Sequence, residues 1–208
     1  MADLTFLGAA QRTTGSMHVF RDDGFTASLD CGLFQGRRGE TRELNERFGI
    51  RPADVHAVLL SHAHIDHSGR LPLLVRGGFG GPIYATSATC DLCRALLPDS
   101  AHIQEEDARY WNKKHPESEH IEPLYRQEHA AAALKRLEPV PYDRTFRLGD
   151  TDITARYVEA GHILGSAMVL VEFHSFFGGT RRLLFSGDVG RFDVPILRDP
   201  VEPLPEAD

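Results

Sequence analysis

Four side chains that commonly bind metal ions fall within one six-residue segment: His62, His64, Asp66 and His67. The segment follows the short apolar run Ala57–Leu60, which predicts a buried strand. In an extended chain, residues i and i+2 point the same way, so His62 and His64 can bind one metal ion. A turn into a helix near Leu71 would then present Asp66 and His67 to an adjacent second position. Two imidazoles beside an open coordination position are typical of a catalytic zinc site rather than a closed structural one.

Two later residues extend this set, because each follows a small residue at the end of a predicted strand. His162 comes after the strand Ile153–Val158, and Asp188 comes after the strand Arg182–Phe185. His162 can join the two histidines of the first position. Asp188 can bridge both positions because a carboxylate has two oxygens, whereas each imidazole donates one lone pair. Taken singly, each would be an ordinary surface or turn residue, but together they predict two adjacent metal sites.

The elements that must position these residues occur in the order strands, helices, strands. A hairpin turn is expected at Asp22-Asp23-Gly24 and a second one at Gly178-Gly179. The predicted strands are Leu4–Leu7, Met17–Arg21, Phe25–Leu29, Ala57–Leu60, Ile83–Ala85, Thr145–Leu148, Ile153–Val158, Met168–His174 and Arg182–Ser186. The predicted helices are Leu71–Val75, a helix from Thr86 or Ser87 to about Leu97, Ala101–Lys114 and Gln127–Leu137. This order favours a layered α/β fold with the helices outside.

The composition excludes several classes of protein. The 208 residues suit one domain, and the net charge of −7 argues against a chain that coats nucleic acid through bulk charge. The apolar runs are too short to span a bilayer, and the N-terminus lacks the basic segment of a secretory signal. Three cysteines suit a reducing compartment better than a disulfide framework. We therefore expect a cytoplasmic protein with no membrane partner.

The series of six candidate ligands resembles the zinc-binding series of the metallo-β-lactamase fold. A narrower resemblance, to the β-CASP branch of RNA-processing nucleases that includes RNase J and the polyadenylation cleavage subunit, covers nearly the whole chain. It is carried by Thr14–Ser16, Leu29–Gly32, Ser61–Gly69, Pro123–Tyr125 and Ala160–Ala167. The run Gly-His-Ile-Leu-Gly-Ser that begins at Gly161 is the most specific to that branch. The resemblance implies an αββα sandwich.

The resemblance also implies a zinc-dependent phosphodiesterase, an endo- or exoribonuclease in which two zinc ions share a hydroxide. His62, His64 and His162 would hold one ion, while Asp66, His67 and Asp188 would hold the other. Asp66 and Asp188 are the candidate catalytic carboxylates, and Asp66 would also accept a proton from the attacking water. Asp30 is expected to support the metal loops by hydrogen bonding, although an ordinary turn aspartate is nearly as good an interpretation.

Two alternative functions stay open from the sequence. One is another hydrolase of the same superfamily, acting on a thioester, lactone or lactam with the same metals. The other is a non-catalytic scaffold, against which the intact ligand set argues. RNA is the expected partner, with DNA left open, and a homodimer is also left open.

The resemblance sets expectations for the end of the chain. We expect a metallo-β-lactamase domain over residues 1–197 with an incomplete core, and a tail or severed linker over residues 198–208. Members of the family continue past the Asp188 segment into a β-CASP cap and then supply a further histidine ligand. The second zinc site is therefore expected to be weaker here, and the short chain to be weakly active.

Other residues that could do chemistry have weaker support. Arg37 and Arg38 belong to a basic cluster that is a candidate contact for a nucleic-acid backbone, although a solvated charged loop is the better interpretation. Cys90 and Cys93 form a C-x-x-C pair with no second pair to complete a zinc site, so buried thiols are expected. The remaining seven histidines are interpreted as structural or surface residues: His18, His56, His102, His115, His120, His129 and His174.

Overall fold

A mixed six-stranded sheet forms one layer of the computed structural model, which describes residues 1–176 and 178–208 apart from the side chain of Arg38. Its strands are β1 (Asp3–Phe6), β2 (His18–Asp22), β3 (Phe25–Leu29), β4 (Ala57–Leu59), β5 (Ile83–Thr86) and β6 (Leu137–Val140), in that spatial order. The first three strands pair antiparallel, and β3 to β6 pair parallel. The carboxyl ends of β3, β4 and β5 therefore meet at one edge.

A second, antiparallel sheet packs face to face on the first. It contains β7 (Phe146–Arg147), β8 (Thr154–Glu159), β9 (Ala167–His174) and β10 (Thr180–Phe185), in the order β10-β9-β8-β7. Because β8 and β10 both run antiparallel to β9, they end at the same edge of this sheet. An apolar core fills the space between the sheets, with Phe20, Leu59 and Tyr157 almost fully buried.

The helices cover the other face of the first sheet. They are α1 (Arg38–Glu46), α2 (Ile65–Ser68), α3 (Leu71–Arg76), α4 (Ser87–Lys114) and α5 (Gln127–Leu134), with a 3₁₀ turn at Pro52–Asp54. A second core between sheet and helices includes Val58, Leu60, Leu74 and Leu97. The predicted α/β fold is confirmed: of the four layers of the expected αββα sandwich, the described residues form one helical layer and the two sheet layers. In that part of the chain no helix has the length and apolarity needed to cross a membrane.

Two element predictions were wrong, and a proline is involved in each. The helices predicted on either side of Pro98 are one 28-residue helix, α4, because Cys93, Leu97 and Ala101 form a continuous buried face across the proline. The helix predicted to reach Leu137 ends at Leu134, and Leu137–Val140 is a strand. Strand β6 lies at the edge of its sheet. Pro139 has no N–H to donate, and an edge strand tolerates this because one of its sides has no neighbouring strand.

The last residues of the chain lie across the outer face of the second sheet. The Val201 N–H donates to the Glu159 carbonyl at the end of β8, and Val201 packs against the buried Val158 and Met168. At the other side of the sheet, the Asp208 carboxylate accepts from the Arg182 backbone N–H at 2.8 Å. The segment thus crosses the sheet from β8 to β10, and the proposed domain boundary at residue 197 stays a prediction.

Candidate metal centre

Loops from both sheets bring the candidate ligands to one rim of the sandwich. His62 and His64 follow β4 of the first sheet, whereas His162 follows β8 and Asp188 follows β10 of the second sheet. The two rims are joined directly, because the Ala167 N–H at the start of β9 donates to the Ser61 carbonyl at 2.9 Å. The strand-end placement predicted from the sequence is therefore the arrangement in the fold.

The first group of ligand atoms is compact. His62 Nε2 lies 3.1 Å from His64 Nδ1, and His162 Nε2 lies 3.2 Å from the same atom. Asp188 Oδ2 lies 3.5 Å from His162 Nε2 and 3.9 Å from His62 Nε2. All four side chains thus place one donor atom within 4.8 Å of the others. Three imidazole nitrogens and one carboxylate oxygen converging in this way can hold a metal ion.

A second position lies on the other side of Asp188. Its Oδ1 is 3.4 Å from His67 Nε2, and that nitrogen is 3.8 Å from Asp66 Oδ2. The one-turn helix α2 begins at Ile65 and places Asp66 and His67 in its first turn, after the extended residues that carry the first pair of histidines. The two oxygens of Asp188 thus face two different groups, which is the arrangement a bridging carboxylate needs.

Asp30 supports both groups from behind. It is fully buried at a left-handed backbone position, φ +60°, directly after β3. Its Oδ2 lies 2.6 Å from His67 Nδ1 and accepts from the Ser16 and Ser61 hydroxyls, while Oδ1 accepts from the Ser61 backbone N–H at 2.8 Å. With Nδ1 engaged in this way, His67 directs Nε2 toward Asp188.

Ser16 and Ser61 support the candidate centre through hydrogen bonds, and the ligand pattern alone did not single them out. Ser16 lies in the Thr14–Ser16 segment, and its N–H donates to the Asp66 carbonyl at 2.8 Å. The Ser61 hydroxyl lies 3.0 Å from His62 Nδ1 as well as hydrogen bonding to Asp30. Gly32 completes the contact between these loops, since a Cβ there would lie 1.6 Å from the Asp66 carbonyl oxygen. In the sequence, the two serines could be noticed only because they lie in Thr14–Ser16 and Ser61–Gly69, two of the segments that carry the resemblance to the β-CASP branch.

The histidines differ in their electrostatic surroundings. Burial, and then the neighbouring histidines His67, His64 and His162, lowers the pKa of His62 to about 2. Burial also lowers the pKa of His162. These two rings are therefore neutral at physiological pH, which is the form in which imidazole binds a metal.

His67 shows the opposite shift. Burial acts to lower its pKa, but the hydrogen bond and charge of Asp30, with the charges of Asp188 and Asp66, raise the pKa overall. The second position thus gathers carboxylates around a histidine that favours its proton. A cation bound there would replace that proton as the partner of the carboxylates.

The centre is open to solvent on one side only. The side chains of His62 and His67 are 0% and 8% exposed, whereas the side chain of Asp188 is 45% exposed. Asp66 and His162 have intermediate exposure. The carboxylates and His162 are therefore accessible from solvent, while His62 and His67 form the buried inner side of the centre.

The basic cluster of Arg37, Arg38, Arg42 and Arg47 contributes no hydrogen bond or ion pair to this centre from its described side chains. Arg37 is exposed at the N-cap of α1, and the side chain of Arg38 lies outside the described residues. Two further arginines of the cluster pair with acidic residues of their own helix, Arg42 with Glu46 at 2.8 Å and Arg47 with Glu43 at 3.0 Å. The assignment of Arg37 and Arg38 to a substrate stays a prediction.

The cysteines and several other histidines have the structural environments expected of them. Cys90 and Cys93 are buried free thiols of α4, and burial raises the pKa of Cys93 to about 12. His56 Nδ1 accepts from the Thr26 N–H at 3.0 Å, and His129 Nδ1 accepts from the Arg126 N–H at the start of α5. The prediction of buried thiols is confirmed.

Comparisons with known proteins agree with this geometry. A family model described as the metallo-β-lactamase superfamily matches residues 11–206. Ribonuclease TTHA0252 of Thermus thermophilus is 39% identical over 196 residues, which are 94% of this chain and 40% of that protein. Endoribonuclease YSH1 of Eremothecium gossypii is 30% identical over 187 residues, which are 89% of this chain and 22% of that protein. The chain spans less than half the length of these curated relatives.

A solved structure gives the same fold. A metallo-β-lactamase of Cronobacter sakazakii superposes with a TM-score of 0.54 at 16% identity, covering 92% of this chain and 62% of that one. At this identity the likeness concerns the fold alone. The named relatives are ribonucleases, as the resemblance to the β-CASP branch predicted. The sandwich, its rim of histidines and aspartates, and the family match together place this chain in the metallo-β-lactamase superfamily.

Proposed function

We propose that this chain is the metal-binding catalytic part of a zinc-dependent ribonuclease that hydrolyses phosphodiester bonds. The observation that carries the proposal is the position of Asp188, whose two oxygens face two separate groups of ligand atoms. The ribonuclease names of the relatives support RNA as the substrate class.

The donor set favours zinc at the first position. Tetrahedral coordination at zinc–nitrogen distances of 2.0–2.1 Å requires donor atoms about 3.3–3.4 Å apart. The separations of 3.1, 3.2, 3.5 and 3.9 Å between atoms of His62, His64, His162 and Asp188 scatter around that value. Imidazole-rich sites are also suited to zinc, whereas magnesium and calcium prefer oxygen ligands.

The chain's own residues would divide the work. His62, His64 and His162 would hold one ion, while Asp66 and His67 would hold the other, with Asp188 shared between them. Two such ions supply a nucleophile at neutral pH and neutralise the charge of a phosphodiester. Asp66, partly exposed at the open side of the centre, would accept a proton from the attacking water. Asp30 would keep His67 oriented throughout.

The test is zinc content and phosphodiesterase activity in two matched variants, Asp188→Asn and Asp143→Asn. Asp143 is an exposed aspartate at a left-handed backbone position, φ +60°, which asparagine tolerates. We expect up to two zinc equivalents in the wild type and the Asp143 variant, measured by elemental analysis. The Asp188 variant should lose at least one equivalent of zinc. Without the negative charge of the Asp188 carboxylate, the repulsion between two neighbouring cations is no longer offset.

Activity is measured on bis(p-nitrophenyl) phosphate and, in parallel, on a thioester. We expect hydrolysis of the phosphodiester, falling at least about 10²-fold in the Asp188 variant, the scale of losing one positioned catalytic group. Absence of bound metal from the wild type after zinc addition would contradict the metal centre. Faster hydrolysis of the thioester than of the phosphodiester would contradict the nuclease assignment while leaving the metal centre in place.

A further inference from the structure

The turn that carries His162 rests on the N-terminus of α4. The carbonyl oxygen of Gly165 accepts from the Thr86 hydroxyl at 2.6 Å and from the Thr89 hydroxyl at 2.9 Å. Both threonines are almost fully buried, at 2% and 0% exposure. Gly165 has φ +87°, and a Cβ there would lie 2.6 Å from the Thr89 nitrogen. The turn and the helix are therefore in direct backbone contact.

A third hydroxyl fixes the next residue of the same turn. Tyr142 donates from its phenol to the Ser166 carbonyl at 2.9 Å. The Ser166 hydroxyl in turn accepts from the backbone N–H groups of His162 at 2.9 Å and Ile163 at 3.2 Å. The three external hydroxyls therefore hold the carbonyls of Gly165 and Ser166, and the Ser166 hydroxyl holds the backbone of the candidate ligand His162.

The His162 turn contains two glycines, so its conformation depends on contacts from outside the turn. Gly161 and Gly165 both adopt positive φ, so the turn has glycine's conformational freedom at two points. His62, by contrast, is fully buried and is held through Ser61 and Asp30. His162 is also the imidazole that the second sheet contributes, so its position decides whether the three nitrogens converge.

We propose that Thr86, Thr89 and Tyr142 are positioning residues that hold the His162 turn in its ligating conformation before metal binds and thereby set the metal affinity of the first position. The inference rests on the proposed metal centre and extends it to residues that touch neither metal nor substrate. Without the hydroxyls, ordering the turn becomes part of the free-energy cost of binding the ion.

Helix capping alone does not account for this arrangement. Thr86 caps α4 by accepting from the Thr89 N–H at 3.3 Å, so a variant at Thr86 would change the helix and the turn together. The Thr89 side chain does not accept that bond; its hydroxyl donates to Gly165 and lies 3.1 Å from Thr86 Oγ1. A change of the Thr89 side chain therefore leaves both atoms of the backbone cap in place. Thr89 is therefore the position at which the two roles separate.

The experiment compares Thr89→Val, which removes the hydroxyl at nearly constant volume, with Thr89→Ser, which keeps it. Thr26→Val is the matched control, because Thr26 is a buried threonine of β3 outside the His162 turn. Zinc affinity is measured by chelator competition. We expect about a tenfold loss in Thr89→Val, the lower end of the range for residues that orient metal ligands. Thr89→Ser and Thr26→Val should bind zinc as the wild type does.

Amide hydrogen exchange of the metal-free chain gives a readout that does not depend on the ion. In Thr89→Val the amides of His162 and Ile163 should exchange faster than in the wild type, with recovery in Thr89→Ser. If the valine variant does not fold, Tyr142→Phe takes its place with the same expectation, since Tyr142 is only partly buried.

Three outcomes would overturn the inference. One is unchanged zinc affinity with unchanged exchange in the valine variant. Another is an equal loss of affinity in Thr89→Val and Thr89→Ser, which would indicate packing rather than the hydroxyl. The third applies if the wild type binds no zinc: unchanged exchange in Thr89→Val would then overturn the inference. Faster exchange in Thr89→Val in that case would support the positioning role and reject only the metal centre.

Discussion

Asp30 connects the two metal positions through a single carboxylate. Its oxygens hold Ser61, which directly precedes His62, and His67, which belongs to the second group. The donors around it come from the Ser16 loop, the Ser61 loop and helix α2, and all three residues are buried. The residue thus fixes the relative placement of the two groups.

Replacing Asp30 by asparagine should therefore destabilise the metal-free chain. The left-handed backbone of Asp30 tolerates asparagine, so the change removes the charge without adding strain. We expect a loss of about 3 kcal/mol in the free energy of unfolding, the scale of breaking a buried ion pair on one side. Urea unfolding of Asp30→Asn and of the exposed turn variant Asp23→Asn checks this. Equal stability of the two variants would show that the Asp30 network contributes little.

The lowered pKa of His62 should make the metal-free chain sensitive to acid. Unfolded histidine takes up a proton near pH 6.5, whereas folded His62 stays neutral down to a pKa of about 2. Below pH 6.5 the unfolded state therefore binds one more proton at His62 than the folded state does. The free energy of unfolding then falls as the pH falls. The raised pKa of His67 acts in the opposite sense, adding stability below pH 6.5 that disappears as the pH rises through its folded value.

A variant separates these contributions. His62→Gln should reduce the fall in unfolding free energy between pH 6.5 and 5 by up to about 1.4 kcal/mol per pH unit, the value for one proton. His120→Gln, which removes an exposed histidine outside the candidate centre, is measured alongside as the control. The measurement is urea unfolding of the chelator-treated chain at both pH values. A slope in His62→Gln equal to that of the wild type would contradict the assignment.

At the level of helices and strands, the sequence predicted elements whose pattern is local. The hairpin at Asp22-Asp23-Gly24 and the strand before His62 needed only alternation and a turn signal. Continuity of α4 through Pro98 depends on residues that pack on it from elsewhere, and β6 depends on pairing with β5. The ligands followed from strand-end spacing, whereas Thr86, Thr89 and Ser16 depend on which loops meet. Contacts between loops that are distant along the chain leave no periodic pattern in the sequence.

Pro98 should cost α4 stability that packing offsets. A proline inside a helix lacks the N–H that would bond to the carbonyl four residues earlier, a loss of about 3 kcal/mol. Pro98→Ala restores that donor. It also increases the conformational entropy of the unfolded chain, which lowers the free energy of unfolding by about 0.4–1 kcal/mol. We expect a net gain of about 2 kcal/mol, seen as a higher thermal midpoint. Pro116→Ala, in the exposed loop after α4, is the control and should change little; a gain there of the same size would rule out the helix explanation.

For the molecule as a whole, charge opposes the proposed substrate. The net charge is −7, and α1 pairs Arg42 and Arg47 with its own glutamates. Phosphate contacts supply much of the affinity for nucleic acid, so a net negative charge and paired arginines oppose the binding of a polyanion. The cytoplasmic location and the homodimer stay predictions, because no observation on those residues bears on them.

We therefore expect weak binding and slow cleavage of single-stranded RNA by this chain alone. Fluorescence anisotropy near physiological salt should give a dissociation constant no tighter than about 10⁻⁶ M, the limit typical of non-specific binding. The double variant Glu43→Gln/Glu46→Gln frees two arginines and should bind more tightly, with a steeper salt dependence. Nanomolar binding by the wild type, or no gain in the double variant, would contradict this account.

The division of the ligands between the two sheets has a consequence for unfolding. His62 and Asp188 are more than a hundred residues apart along the chain and belong to opposite halves of the sandwich. An ion held between them would close a very long loop, as a disulfide does in a secreted domain, and without an oxidising compartment. The sheets could then not part at this rim without releasing the ion. Dissociation of the metal and opening of the sandwich would become one event, so a chelator would act on this chain as a reducing agent acts on a cross-linked one.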